Sequence, residues 1–231
     1  MMDVFNKLLS PQWAEAFGFN YLSGRYFNQL GNFINKEYKE NICYPPKEDI
    51  FKIFREISPQ DARIVILGQD PYHEENQATG VAFAVPETQL VIPPSLMIIE
   101  AEVKDDIYKL DNTLHFDYTL ERWTSQGVFL LNTALTVRKG EAGSHALAWS
   151  SFTEAVISIL NTYPGKIFLL WGKYARAYAH LINPNLHYTL TAAHPVSEVY
   201  KRGSGFLDCK HFSKVNEILE KNNGIEFIIK W

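Results

Sequence analysis

The sequence predicts an α/β fold of three layers (α/β/α), built on a central, mainly parallel four-stranded sheet. Two observations carry this prediction. Four short runs are apolar without alternation, which is typical of parallel strands covered on both faces. Helix-like stretches lie between these runs, and strands that alternate with helices favour a layered domain with a parallel sheet. The four predicted strands are 63–67, 128–131, 166–171 and 187–191.

The predicted helices connect these strands and precede them. The part of the chain before Ile57 has a mostly helical pattern, interrupted at Tyr44-Pro45-Pro46. Ser95 follows two prolines and is predicted to cap the helix that begins there. No internal repeat, low-complexity tract or Gly/Ser linker divides the 231 residues, so we expect one domain over residues 1–231. The helices predicted between and after the strands are 95–110, 118–126, 150–161, 173–182 and 210–222.

The composition argues against several classes of protein. A formal net charge of −4 does not suit bulk attraction to nucleic acid, so any DNA binding needs a local basic surface. Cys43 and Cys209 are far apart and form no CxxC motif, which argues against a disulfide framework and against a zinc site. The first residues lack signal-peptide features, and no apolar stretch approaches the roughly 20 residues that span a bilayer. We expect a monomer without membrane association, in the cytoplasm or, in a eukaryote, the nucleus.

Polar residues follow the end of each predicted strand. Gln69, Asp70 and Tyr72 follow the first strand, Asn132 the second, Lys173 the third and His194 the fourth. In open parallel sheets the ligand binds outside the carboxyl ends of the strands. The sequence therefore predicts a site at this edge, with a carboxylate, amides, an imidazole and aromatic rings that suit a planar polar ligand.

Each of these residues also has an ordinary structural explanation when it is taken singly. Asp70 precedes a proline and fits a turn in which its carboxylate caps a backbone amide. His194 fits a packed histidine, Asn132 fits a residue that closes a turn, and Phe83 fits the core. Their combination at one edge is what favours a functional site.

Several motifs together resemble the family 1 uracil-DNA glycosylases. The segment Gly68-Gln69-Asp70-Pro71-Tyr72-His73, at the end of a strand, resembles the water-activating loop of that family. The resemblance runs in order from about Tyr44 to the C-terminus. The other matching segments are Tyr44-Pro45-Pro46, Ile92-Pro93-Pro94-Ser95-Leu96, 127–133, Trp149 with Phe152-Thr153, 168–172, His194-Pro195 and 209–214.

The resemblance implies a monofunctional glycosylase that hydrolyses the N-glycosidic bond of deoxyuridine in DNA, releasing uracil and leaving an abasic site. Asp70 would orient the attacking water and stabilise positive charge on the sugar. His194, as a neutral imidazole, would donate a hydrogen bond to uracil O2, helped by the backbone amide of Gln69. Such groups stabilise developing charge, which is usually a large catalytic effect. Water is the nucleophile, and the resemblance implies neither a metal ion nor an organic cofactor.

The resemblance also implies how the base is selected. Asn132 would pair with both O4 and the ring N–H of uracil, whereas cytosine presents its donor and acceptor in the reverse order. Tyr72 would crowd the position at which thymine carries its methyl group. Phe83 would stack on the base once it has left the helix.

The residues expected to contact DNA match the family less completely. Ser95 matches a loop that pinches phosphates, and Lys173 stands where the family commonly has a serine. After His194 the family reads His-Pro-Ser-Pro-Leu-Ser, and its leucine is the wedge, the side chain inserted into the duplex. This chain has no leucine there, and its loop to Cys209 is two residues longer.

Glu198 occupies the wedge position by count, and we expect phosphates to repel a carboxylate there. We therefore predict that Val199 or Tyr200 is the wedge and that Ser197 contacts a phosphate. Arg202 is a candidate for the local basic surface.

The partners implied by the resemblance are single- and double-stranded DNA containing uracil. A protein inhibitor that mimics DNA is a further candidate partner, because such an inhibitor binds members of this family. Two other interpretations remain. A non-catalytic DNA-binding protein could share the fold, although the presence of Asp70 and His194 argues against it. A glycosylase with another base preference is the second, and Tyr72 and Asn132 argue against that.

Overall fold

The centre of the molecule is a sheet of four parallel strands. The computed structural model describes residues 9–109 and 115–231. The strand order in the large sheet is β3-β2-β5-β6, and all its pairings are parallel. The predicted α/β class with a central parallel sheet is confirmed, and each strand lies within one residue of its predicted bounds. The strands are β1 Cys43–Tyr44, β2 Ile64–Gly68, β3 Val128–Asn132, β4 Val137–Arg138, β5 Ile167–Trp171 and β6 Tyr188–Ala192.

Helices precede the sheet and connect its strands. The N-terminal part is mostly helical, as predicted, although it also contains β1, which pairs antiparallel with β4. The helix predicted over 95–110 ends at Asp106, and Leu110 lies outside the described residues. Within those residues, no helix combines the length and the apolar character needed to cross a membrane. The helices are α1 Pro11–Phe17, α2 Phe19–Leu22, α3 Arg25–Glu40, α4 Lys52–Glu56, α5 Pro94–Asp106, α6 Glu121–Thr124, α7 Ala146–Leu160, α8 Gly172–Arg176, α9 Ser197–Tyr200 and α10 His211–Asn223, with 3-10 turns at Lys47–Asp49, Ala179–Leu181 and Ile225–Phe227.

Aromatic contacts show how helices cover both faces of the sheet. Trp13 of α1 stacks on Phe129 of β3, with 5.4 Å between ring centroids. Phe212 of α10 packs edge-on to Trp171 of β5 at 6.1 Å. Phe129 is in register with Phe168, three residues before Trp171, so the two aromatic clusters lie on opposite faces. The layered arrangement therefore follows from aromatic residues placed with opposite parity on β3 and β5, the two strands that flank β2.

Two details differ from the sequence predictions. We expected all four strands to be covered on both faces, but most of β6 is exposed, whereas β3, the strand at the other edge, is buried throughout. Ser95 was expected to cap α5, but Pro93 occupies the cap position and no side chain caps the helix. The rigid backbone of two prolines begins the helix, and the serine hydroxyl is free to contact another group.

Candidate active site

A cavity of about 480 Å³ lies at the carboxyl ends of β2, β3 and β6. Its walls come from the segments after β2, β3 and β6 and from the proline-rich segment before α5. Eight of the residues singled out in the sequence line it, so the predicted convergence at this edge is observed. These are Gln69, Asp70, Tyr72, Phe83, Ser95, Asn132, His194 and Tyr200.

Asn132 is the last residue of β3 and presents its amide at the floor of this cavity. The side chain is only 7% exposed, yet no group in residues 9–109 or 115–231 hydrogen-bonds its amide. Gly68 pairs with Asn132 in the sheet, and a Cβ there would lie 2.5 Å from Asn132 Oδ1 and 3.3 Å from the Phe83 ring. Glycine at the end of β2 therefore leaves room for the amide. The amide lines the cavity with its donor and its acceptor both unused, so a ligand in the cavity can bond to both.

Phe83 forms one wall of the cavity in a strained backbone conformation. Its φ is +66°, a value that costs a non-glycine residue roughly 1–3 kcal/mol. Its ring lies 5.4 Å from that of Trp171 and 6.0 Å from that of His194. The Tyr72 hydroxyl donates to the Phe83 carbonyl at 3.0 Å and lies 3.1 Å from Ser95 Oγ. One tyrosine thus joins the proline-rich segment to the strained residue and fixes the shape of the wall.

Asp70 lines the cavity, and its carboxylate is held by a backbone donor from a distant turn. The Gly143 N–H donates to its Oδ2. Burial raises the pKa of the Asp70 carboxyl above its ordinary value, and hydrogen bonds, chiefly from the Gly143 N–H and also from the Gln69 side chain, oppose this effect without cancelling it. This carboxylate is weakly solvated and has few partners, so it can still interact strongly with a reacting group.

An ion pair between the buried Glu37 and the partly exposed Arg138 holds the turn that carries Gly143. Glu37 of α3 accepts two hydrogen bonds from Arg138, at 2.6 and 2.9 Å, and lies 3.1 Å from His145 Nε2. The hydrogen bond from Arg138 is the main reason why the pKa of Glu37 falls to about 2. Cys43 lies close to Glu37 and His145, but the guanidinium already balances the Glu37 charge. Arg138 and His145 flank the turn, so this pair fixes the position of the donor to Asp70.

His194 follows β6 and is held in one tautomer by the backbone. The Val196 N–H donates to His194 Nδ1 at 3.2 Å, so Nδ1 is an acceptor and the proton of the neutral ring is on Nε2. Burial lowers the pKa of His194 to about 4, so the ring is neutral near pH 7. A Cβ on Gly172 would lie 2.8 Å from His194 Cβ, so glycine is needed behind the ring. His194 therefore presents a neutral N–H donor to the cavity.

The family of the chain follows from its sequence match. The family model described as the Uracil DNA glycosylase superfamily matches residues 54–220, which include every strand of the large sheet. The chain belongs to this superfamily.

Curated relatives and solved structures agree with this assignment. The uracil-DNA glycosylase of Buchnera aphidicola subsp. Acyrthosiphon pisum (strain Tuc7) is 46% identical over 199 residues, covering 85% of this chain and 88% of the relative. The uracil-DNA glycosylase of Clostridioides difficile (strain 630) is 43% identical over 215 residues, covering 92% and 93%. The crystal structure of mimivirus uracil-DNA glycosylase has a TM-score of 0.84 at 30% identity, covering 94% of this chain and 86% of that one. A mimivirus UNG variant in complex with UGI has a TM-score of 0.85 at 30% identity, covering 94% and 88%.

In this member of the uracil-DNA glycosylase superfamily, the residues singled out for DNA contact differ in burial and in their relation to the cavities. Lys173 and Ser197 line a neighbouring cavity of about 360 Å³, which shares His194 with the first. Val199 is 53% exposed and Tyr200 is 84% exposed. Arg202 is exposed and lines neither cavity. Ser95 differs from these, because it is buried and its hydroxyl contacts Tyr72.

Glu198 does not face the DNA side as the sequence suggested. Its side chain is buried, and the carboxylate accepts hydrogen bonds from backbone N–H groups of the loop that follows α9. Burial alone would raise the pKa of Glu198, but these donors outweigh it and lower the pKa to about 2. The carboxylate is therefore enclosed by the protein's own backbone, which is a separate reason why Glu198 does not fit the role of the wedge.

Two positions important to the site of this glycosylase-family chain were not found from the sequence. Gly143 donates to Asp70 across 73 residues of chain, and no local pattern indicates that contact. Glu198 was noted only for its place in the loop. A search for isolated acidic residues in Gly-rich loops is the signal that could have found it, because such loops expose rows of N–H groups.

Proposed function

We propose that this chain is a monofunctional glycosylase that hydrolyses the N-glycosidic bond of deoxyuridine in DNA, releasing uracil and leaving an abasic site. One observation carries the proposal. A single cavity contains the sparsely bonded carboxylate of Asp70, the neutral N–H donor of His194 and the unpartnered amide of Asn132. The names of the curated relatives support the same reaction.

Asp70 and His194 act on opposite charges in the reaction. Breaking the glycosidic bond leaves positive charge on the sugar and negative charge on the departing uracil. Asp70 is held through Oδ2 by Gly143, and its Oδ1 accepts a hydrogen bond from the attacking water and faces the sugar. His194 Nε2–H donates to uracil O2 as negative charge develops there. Because both groups are positioned before the reaction, they stabilise charge without reorganisation.

The cavity walls select the base. Asn132 Nδ2–H donates to uracil O4 and its Oδ1 accepts from the ring N–H, which satisfies the buried amide. Cytosine would leave both interactions mismatched, at a cost of about 1–3 kcal/mol for each unsatisfied buried group. Tyr72 blocks a methyl group at the position found in thymine, and Phe83 stacks on the base. The Tyr72 hydroxyl, held between Phe83 and Ser95, keeps this wall in place.

DNA binds over the mouth of the cavity. Lys173 and Ser197, which line the neighbouring cavity, contact phosphates, and exposed Arg202 adds positive charge. Val199 or Tyr200 fills the space left by the extruded base, since both are exposed apolar side chains beside the mouth. Ser95 supports the cavity wall through its contact with Tyr72 and lies where it contacts a DNA phosphate. A protein inhibitor that mimics DNA would bind this face, and the mimivirus UNG in complex with UGI supports that proposal.

The test is uracil release from matched oligonucleotides that contain one uracil, thymine or cytosine, with a chelator present throughout. We expect release of uracil only, in single and double strands. Asp70→Asn should abolish most of the release, whereas Glu217→Gln, which neutralises an exposed carboxylate on α10, should leave it unchanged. Release of thymine or cytosine would indicate a different base preference. DNA binding without release would favour a non-catalytic protein.

A further inference from the structure

The loop after α9 is built around the carboxylate of Glu198. Five consecutive backbone N–H groups donate to this one side chain. Gly203 and Ser204 donate to Oε2 at 2.7 and 3.3 Å. Gly205, Phe206 and Leu207 donate to Oε1 at 2.9, 2.8 and 3.3 Å. Successive N–H groups that converge in this way form a concavity that binds anions, and here the anion belongs to the chain itself.

This carboxylate connects the exposed apolar side chains to the remainder of the fold. Glu198 belongs to the same helical turn as Val199 and Tyr200, so whatever fixes Glu198 also fixes them. Phe206, one of its donors, is fully buried and packs edge-on to Trp171 at 5.0 Å. The Gly205 carbonyl accepts from the Ala193 N–H at 3.2 Å, next to His194. The turn is therefore anchored to the core through the loop.

A second buried carboxylate holds the far end of the same loop. Glu102 of α5 accepts from the N–H groups of Asp208 at 2.6 Å and Lys210 at 2.9 Å. Glu102 is 1% exposed. Asp208 and Lys210 both have positive φ, of +66° and +55°, which shows how tightly the backbone is bent to reach this acceptor. Both ends of the loop are thus tied to buried carboxylates, although residues 201–205 include two glycines and three exposed or partly exposed polar residues.

We propose that Glu198 is a positioning residue for duplex DNA: by filling the N–H concavity of residues 203–207 it makes α9 and the loop one rigid unit, which presents Val199 and Tyr200 to the duplex. The inference rests on the proposed function, because it assigns the wedge to this unit. Holding the wedge ready lowers the conformational entropy that is lost when the side chain enters the duplex. A single strand has no base stack to fill, so it depends less on this rigidity.

The first experiment compares Glu198→Gln with wild type and with Glu217→Gln as the matched control. Glutamine keeps the shape but turns an amide group toward N–H donors, so part of the concavity loses its acceptor. We expect kcat/KM on a uracil-containing duplex to fall by about tenfold or more, and kcat/KM on the single strand of the same sequence by less than about threefold. Equal losses on both substrates, or no loss on the duplex, would overturn the proposal. Thermal unfolding confirms that the variant is folded at the assay temperature.

A second variant tests whether the effect of Glu198→Gln could come from a general folding defect. The double substitution Val199→Ala with Tyr200→Ala leaves the carboxylate and its five donors intact. It should lower the ratio of duplex to single-strand activity in the same direction as Glu198→Gln. An unchanged ratio would show that this unit does not engage the duplex, and the proposal would be wrong.

Two measurements separate this proposal from the proposed function. Amide hydrogen exchange of residues 203–207 should be faster in Glu198→Gln than in wild type, with β5 unchanged, whether or not the protein releases uracil. The affinity for duplex DNA, from fluorescence anisotropy, should fall in the same variant. If wild type releases no uracil, the proposed function fails, while these two results still decide the inference. Unchanged exchange or unchanged affinity would contradict it.

Discussion

Asp70 and Glu198 are carboxylates at the same edge of the sheet, and their surroundings give them opposite properties. Asp70 accepts from the Gly143 N–H, but its hydrogen bonds do not offset its burial, which keeps its pKa above the ordinary value. Glu198 has five backbone donors, and its pKa is lowered to about 2. Desolvation acts on both, but hydrogen bonds to the charged form outweigh it only at Glu198. A carboxylate whose acceptor positions are filled supports the fold, whereas one left with open positions can act on a substrate.

The largest expected effect comes from removing the reactive carboxylate. Asp70→Asn should lower the rate of uracil release by about a hundred- to ten-thousandfold, because the group that orients water and stabilises the sugar loses its charge. Its stability should change little, since asparagine still accepts from Gly143. Single-turnover kinetics and thermal unfolding measure the two quantities. If the variant retains more than about a tenth of the wild-type rate, Asp70 does not have the reactive role that distinguishes it from Glu198.

Asn132 extends the comparison to a neutral group with no protein partner. Asn132→Ala should lower kcat/KM for uracil about ten- to hundredfold, the cost of losing two base contacts. It should not lower the free energy of unfolding, because the amide makes no hydrogen bond within the described residues. Urea unfolding beside the kinetic assay tests both expectations. Marked destabilisation would mean that the amide supports the fold after all.

The pH dependence of uracil release tests the protonation states of His194 and Asp70. With a pKa near 4, His194 stays neutral well below the ordinary value of 6.5, and Asp70 must be ionised at the same time. We therefore expect activity to be flat around neutrality and to fall only in the acid range, as His194 and Asp70 take up protons. Rates measured from pH 4 to 9, with NMR titration of the imidazole, test this expectation. An acid limb centred near 6.5 would contradict it.

The smallest expected effect concerns stability at low pH. The folded pKa of Glu198, about 2, lies below its ordinary value of 4.5, so the folded state favours the charged form. Its contribution to stability is complete above 4.5 and is lost as pH falls from there toward 2. The difference in unfolding free energy between wild type and Glu198→Gln should therefore be constant near neutrality and shrink in acid. A difference that does not depend on pH would show that the charge is unimportant.

The strands of the sheet could be predicted because their information is local. The apolar runs that become β2, β3 and β5 are continuous, and such runs can pack only where both faces are covered. The exposure of β6 was missed although Thr189 and Thr191 make this segment less apolar than the other three strands. The prediction that Ser95 caps α5 was wrong because the serine hydroxyl instead contacts Tyr72, which belongs to a segment distant in the sequence.

Some features of the site could likewise be predicted from the sequence, and others could not. The residues that follow the strands converge because parallel strands all end at one edge, so Asp70, Asn132 and His194 could be placed together from the sequence. Their roles remain predictions until the kinetic tests are made. Glu198 was misjudged because a charge alone does not reveal its environment. Its partners are backbone groups, which carry no side-chain signature in the sequence.

The hydrogen bond from the Val196 N–H to His194 determines which substitutions of Val196 preserve the tautomer of the imidazole. The proton of the imidazole is placed by a main-chain N–H, which every residue except proline supplies. Substitutions at position 196, other than proline, therefore keep the donor that fixes the His194 tautomer, whatever the size or polarity of the new side chain. Proline is the one substitution that removes the donor, and it would release the ring to exchange its proton between the two nitrogens.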